Sequence, residues 1–203
     1  SILQGAGYSL CNEIGKADLI LVNTCSIRDN AEQRVLGRLD VFRQEKLKRK
    51  GLVVGVLGCM AERMKEELLK NPAVDIVAGP DAYRDLPRLV AAVKSDGKQI
   101  NTILSHEETY ADIAPVRMDQ NGVSAYISIM RGCNNVCSYC IVPYVRGAER
   151  SRDPRSIVKE AETLIQNGYM EINLLGQNVD SYLWEDPAAY SEKVNFARLL
   201  ELV

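Results

Sequence analysis

The chain has 203 residues, 46% of them hydrophobic, with 25 Lys and Arg against 27 Asp and Glu and a formal net charge of -2. That balance excludes a disordered chain and a strongly basic nucleic-acid module, and neither half of the chain is basic by itself. No apolar run approaches the roughly 18 to 20 residues of a membrane span, and the opening SILQGAGYSL lacks the basic region of a secretory signal, so the expected compartment is the cytoplasm.

In chain order, the apolar run 19–23 (LILVN) predicts a strand, followed by a helix over 30–48 with Val35, Leu36, Leu39 and Phe42 on one face. Arg34, Arg38 and the terminal KLKRK read as its solvated side and basic end. The pattern repeats with a strand over 52–57 and a helix over 61–70 whose Met64, Leu68 and Leu69 face inward. A third strand over 74–78 precedes a helix carrying Leu86, Leu89, Val90 and Val93 and ending before Gly97. Buried strands alternating with helices predict an α/β fold with a parallel sheet over 1–98. Periodicity fades over 99–122, which reads as a linker. A second β-α-β unit fills 123–203: a strand from Tyr126, a helix over 154–166 capped by Ser151 or Asp153 with Ile157, Ala161, Leu164 and Ile165 as its stripe, and a strand over 171–175. A polar segment with Trp184 and Pro187 separates that strand from a last helical start at Phe196.

The six cysteines are Cys11, Cys25, Cys59, Cys133, Cys137 and Cys140. A chain with this apolar content needs no covalent staples, and three of them fall within eight positions. RGCNNVCSYC over 131–140 spaces those three as CxxxCxxC directly after an apolar strand. Thiolates that close repel one another unless a cation lies between them, so the pattern points to a metal site. Zinc would want a fourth Cys or His, and the one histidine, His106, sits in the expected linker and reads as a solvated residue. Three thiolates on an iron-sulfur cubane instead leave one iron open to a small ligand.

Cys25 and Cys59 each follow a predicted strand and precede a helix, which places both at the carboxyl edge of one sheet. Periodicity leaves two readings open: buried structural thiols, or metal ligands.

CxxxCxxC with Tyr139 before the last cysteine resembles the radical S-adenosylmethionine superfamily. The resemblance implies that Cys133, Cys137 and Cys140 ligate a [4Fe-4S] cluster. Its open iron would chelate S-adenosylmethionine, and reduction would release a 5′-deoxyadenosyl radical. It also implies that Tyr139 faces the cofactor through its backbone, packing of the ring beneath the loop being the other reading. NTCSIRDNAE over 23–32 and GCMAER over 58–63 resemble the N-terminal domain of the methylthiotransferases, which implies that Cys25 and Cys59 help to hold a second [4Fe-4S] cluster. In that family another ligand lies in a Gly-Cys segment upstream of the residues matching this chain's start. Cys11 falls beyond that position and reads as a packing residue, substitution as the third ligand being the other reading.

CNNVCSYCIVPYVRGAERSR over 133–152 and GQNVDSY over 176–182 resemble the branch of that family acting on N6-dimethylallyladenosine in tRNA. The implied reaction is radical sulfur insertion at C2 followed by methyl transfer from S-adenosylmethionine. The implied partners are a tRNA with a prenylated adenosine beside the anticodon, a flavodoxin or ferredoxin as electron donor, and a sulfur source, with no membrane. Arg146, Arg150, Arg152 and Arg155 alternate with Glu149 and Asp153; they read as a salt-linked solvated loop or as anchors for cofactor or tRNA, and Arg146 is carried forward as cofactor-binding. The radical S-adenosylmethionine resemblance implies that the second β-α-β unit opens a (β/α) barrel; Asn178 and Asp180 follow its second strand, as cofactor contacts or as loop caps. By the same comparison the first domain lacks its first strand and the barrel stops early, so the chain by itself is expected not to complete the reaction. The alternatives are methylthiolation of a ribosomal-protein aspartate and a non-catalytic iron-sulfur electron carrier.

Overall fold

The computed structural model describes residues 2–26, 29–113, 122–186 and 193–203. Ile27 and Arg28 of the first cysteine motif, residues 114–121 of the expected linker, and Pro187 lie outside them. The chain forms two compact units, one of residues 2–105 with 136–146, the other of residues 106–135 with 147–203. No helix among the described residues is long and apolar enough to cross a membrane.

The first unit runs α1 (Ile2–Gly5), a 3-10 turn, β1 (Leu19–Thr24), α2 (Asp29–Lys48), β2 (Val53–Gly58), α3 (Cys59–Met64), α4 (Glu66–Leu69), β3 (Ile76–Ala78), a second 3-10 turn, α5 (Leu86–Asp96), β4 (Gln99–Asn101) and α6 (Val142–Arg146). Its four strands are parallel in the order β1-β2-β3-β4. Every residue of β2 is buried, because alternate side chains enter cores on opposite faces of the sheet. Val54, Val56 and Val77 pack with Leu39 and Phe42 of α2 and with Met60 and Ala61 of α3. Val53, Leu57, Ile76 and Ala78 pack with Leu86, Leu89 and Val90 of α5. Full burial of each such side chain contributes roughly 1.5 to 3 kcal/mol. The stripes expected on α2 and α5 are the ones that face these cores.

Three local differences have physical causes. The expected helix 61–70 is two helices broken at Lys65, whose φ is 45°. Met64, Leu68 and Leu69 still reach the core across the break, so apolar spacing did not reveal it. Residues 99–101, read as the opening of the linker, form the edge strand β4; a three-residue edge needs one apolar anchor, and Ile100 supplies it. The basic end of α2 is tied down rather than simply solvated. Lys46 reaches both carboxylate oxygens of Asp75 at 2.6 Å, while Arg49 donates to Asp18 and to the carbonyls of Gly15 and Ala17.

The second unit contains β5 (Ser124–Ser128), β6 (Met130–Arg131), β7 (Arg150–Ser151), α7 (Pro154–Gln166), β8 (Glu171–Leu175), a 3-10 turn at Val179–Ser181, β9 (Leu183–Trp184), β10 (Val194–Asn195) and α8 (Phe196–Leu202). β5 and β8 pair in parallel through the crossover α7, while β6-β7 and β9-β10 are antiparallel. Ala125, Ile127, Ile157, Ala161, Leu164 and Leu199 lie at the core. The first strand begins two residues before Tyr126, and Ile165, expected inside, is 57% exposed. Asp153 caps α7 by accepting from the Arg155 N–H, whereas the Ser151 hydroxyl accepts from Leu183 N–H. The β9-β10 pair was not foreseen, because two-residue strands are too short to show alternation.

Arg152 knits this unit together. It is 7% exposed, contacts Glu160 at 2.6 Å and Ser156 Oγ at 2.9 Å, and reaches the carbonyls of Ser128 and Ala111. Its own carbonyl accepts from the buried Tyr182 hydroxyl at 2.7 Å. It is therefore an interior ion pair rather than a solvated or ligand-facing arginine.

Two predictions follow from these ties. Arg152→Ala removes the buried guanidinium with its ion pair to Glu160 and its hydrogen bonds to Ser156, Ser128 and Ala111, and should cost about 3 kcal/mol in urea denaturation. Asp85 accepts both Nε and Nη2 of Arg88 at 2.6 Å and the Asn101 amide at 2.8 Å. The Arg88 guanidinium holds its carboxyl below the ordinary 3.8, burial opposes this in part, and the Asn101 amide adds to the lowering. A depressed carboxyl stabilises the fold above its unfolded pKa and loses that stabilisation as pH falls through the folded one. Asp85→Asn should cost about 1 kcal/mol at pH 7, softened by the exposure of Arg88, and the gap should close on acidification below pH ~4.

Candidate functional site

The parallel register of β1 and β2 pairs Thr24 with Gly58, so the next residue on each strand, Cys25 and Cys59, leaves the same carboxyl edge. Gly58 has φ +90°, and a Cβ there would lie 2.6 Å from both Asn23 Oδ1 and Thr24 O. Glycine is therefore required by both conformation and space. The buried Thr24 hydroxyl donates to Leu57 O at 2.6 Å, closing the two strand ends together. Beyond them, Arg63 of α3 donates to the Glu32 carboxylate of α2 through Nε and Nη2, linking the helices that follow the two cysteines.

Cys59 is buried and Cys25 is exposed. The reading of both as interior thiols thus fits Cys59 and not Cys25. Arg146, at the end of α6, donates from Nε to Cys59 Sγ at 3.4 Å. Sequence reasoning also missed Glu62, three residues after Cys59. Its side chain is 2% exposed, its Oε1 lies 3.6 Å from Lys65 Nζ, and its Oε2 has no hydrogen-bond partner among the described residues. That oxygen lies over Gly79, where a Cβ would collide with it. Burial pushes the Glu62 carboxyl up, Lys65 opposes the shift by charge and hydrogen bonding, and Asp81 adds to the rise. The available signal was an acid directly after the apolar run Cys59-Met60-Ala61, with a glycine at the next strand end.

The CxxxCxxC loop begins with the same device. Gly132 has φ +71°, and a Cβ there would overlap the carbonyl of Ala148. This close passage lets Cys133 N–H donate to Gly147 O at 3.2 Å, while Asn134 Oδ1 accepts from Glu149 N–H at 3.0 Å. Cys133 is buried, Cys137 is exposed and Cys140 is half-buried, with the Cys140 N–H donating to Cys137 O at 3.0 Å. Cys133 falls in the second unit; Cys137 and Cys140 fall in the first. Among the described residues, no three Cys, His, Asp or Glu side chains are gathered closely enough to hold a metal ion.

Tyr139 is 90% exposed, so its ring is not packed beneath the loop. Arg150 is buried and donates to the Glu108 and Ala148 carbonyls, whereas Arg155 is exposed beside Asp153 and Asp186. The register Ser128↔Leu175 aligns the carboxyl ends of β5 and β8, and Asn178 and Asp180 follow β8 there. Asn178 stabilises the following turn through its carbonyl, which accepts from the Ser181 N–H and hydroxyl, and its side chain makes no cap. Asp180 is exposed. His106 is solvent-exposed as expected, and Cys11 is exposed too, with its thiol on Glu13 O, so it is not a packing residue. Cysteine sulfur is the usual ligand of iron-sulfur clusters, and the all-thiol composition of both cysteine groups suits such clusters.

Residues 1–79 match the model of the Uncharacterized protein family UPF0004, and residues 127–199 match that of the Radical SAM superfamily. Over all of its length the chain is 59% identical to a protein of Amoebophilus asiaticus, 55% to one of Bacteroides thetaiotaomicron and 54% to one of Bacteroides fragilis. Each is named tRNA-2-methylthio-N(6)-dimethylallyladenosine synthase, and the chain spans 44% of the length of each.

The glycines before Cys59 and Cys133 yield a direct prediction. Gly58→Ala and Gly132→Ala should each cost about 1 to 3 kcal/mol from backbone strain, with the steric overlap adding to it, read as a lowered melting temperature. Gly97→Ala also has positive φ but open space around it, so it isolates the backbone part of the effect.

Proposed function

We propose that the protein carrying this UPF0004 segment and this radical SAM segment methylthiolates C2 of N6-dimethylallyladenosine beside the anticodon of tRNA. The observation that supports this most is identity of 54 to 59% across the whole chain with proteins bearing that name. In this reading Cys133, Cys137 and Cys140 ligate one [4Fe-4S] cluster, and Cys25 and Cys59 ligate a second together with a residue from elsewhere. The clusters supply the electron that cleaves S-adenosylmethionine and a seat for the sulfur to be transferred.

The chain's own residues bind and orient. In this reading the backbone of Tyr139 contacts S-adenosylmethionine, and Asn178 and Asp180, which follow β8 in the second unit, supply side-chain contacts to it. Exposed Tyr139 and Tyr144 offer aromatic surface to a base splayed from the anticodon loop, a mode that needs no strongly basic protein. A flavodoxin or ferredoxin supplies electrons, a separate source supplies sulfur, and the reaction takes place in the cytoplasm.

The test uses the full-length protein, reconstituted anaerobically with iron and sulfide. About eight irons should bind per chain, falling to about four in Cys133→Ala/Cys137→Ala/Cys140→Ala and to about four in Cys25→Ala/Cys59→Ala. With hypomodified tRNA, S-adenosylmethionine and dithionite, nucleoside mass spectrometry should show the methylthio product for the wild type and for neither variant. A fully loaded wild type that leaves this tRNA unchanged would sink the reading.

A further inference from the structure

We propose that Arg146 is a positioning residue for the Cys25/Cys59 site: its guanidinium holds a charged hydrogen bond on Cys59 sulfur and so sets the reduction potential of the cluster held there. The proposal rests on the reading of Cys25 and Cys59 as cluster ligands.

Arg146 and Cys59 are 87 residues apart in sequence and meet in one compact unit, Nε to Sγ at 3.4 Å in a half-buried contact. The contact is fixed from both sides. Val142 and Val145 bury one side of α6, and Gly147, with φ +70°, ends the helix directly after Arg146. Cys59 is 3% exposed and opens α3, which Arg63 and Glu32 tie to α2. Among the described residues Arg146 has no carboxylate partner, so its charge is directed at the sulfur rather than spent in an ion pair.

A cysteine sulfur bound to iron keeps lone pairs that accept hydrogen bonds, and donors to cluster sulfurs tune potential. A cation beside the sulfur favours the more negative, reduced cluster. The couple involves one electron, taken up from a one-electron donor such as dithionite, and no bond to Cys59 breaks. Arg146 follows the CxxxCxxC loop by six residues, so the segment that carries Cys137 and Cys140 also carries the residue that tunes the other cysteine pair.

The experiment uses the full-length protein with Cys133→Ala/Cys137→Ala/Cys140→Ala, so that iron loads at Cys25 and Cys59 alone. Midpoint potential by spectroelectrochemical titration and the electron paramagnetic resonance spectrum of the reduced cluster are compared for Arg146, Arg146→Gln and Arg146→Lys, with iron content and melting temperature alongside. Arg146→Gln should move the midpoint to more negative potential and change the spectrum at unchanged iron and melting temperature, with Arg146→Lys restoring part of the shift. An unchanged midpoint and spectrum in fully loaded Arg146→Gln would overturn the role. Loss of iron and early melting in both variants would make Arg146 a structural residue and overturn it as well. A triple-alanine protein that binds no iron even with Arg146 in place would instead remove the underlying ligand reading, and the proposal with it.

Discussion

The parallel pairing of β1 with β2 is the constraint on which the first unit depends. It aligns two strand ends to the residue, Thr24 against Gly58, and so places Cys25 and Cys59 at one edge although 33 residues separate them. Close packing of that edge requires a glycine at 58 and a buried threonine hydroxyl on the neighbouring carbonyl, and β2 is buried at every position. A sheet buried on both faces has no solvent to satisfy stray backbone groups, so its register is strongly determined.

The same solution appears in the second unit. Gly132 takes a left-handed conformation directly before Cys133 and passes against a backbone carbonyl, as Gly58 does before Cys59. In both places a side chain is sacrificed so that the chain can turn sharply at the end of a strand and deliver a thiol. The interior polar groups divide accordingly. Arg152 is satisfied by five partners and serves the fold, whereas Glu62 retains an oxygen without a partner among the described residues at the sheet edge beside Cys59.

The short helix α6 shows how one segment serves two patterns. Its valines pack with the first unit, its terminal arginine reaches Cys59, and the residues before it carry two of the three loop thiols. The loop cysteines differ widely in exposure, and no metal-sized grouping exists among the described side chains.

The sequence by itself determined the α/β class, the order of the main strands and helices, and the apolar faces of α2, α5 and most of α7. These follow from periodicity, which burial on a defined face imposes locally. It also carried both cysteine patterns and their association with strand ends. Only the tertiary structure decided what lay outside local periodicity. The break at Lys65 leaves the apolar spacing intact, β4 and the β9-β10 pair are too short to alternate, and Ile165 turns outward within an otherwise correct stripe. The contacts of Arg146 with Cys59, Arg152 with Glu160 and Lys46 with Asp75 join side chains from separate elements, and such pairings exist only once the backbone has brought those elements together.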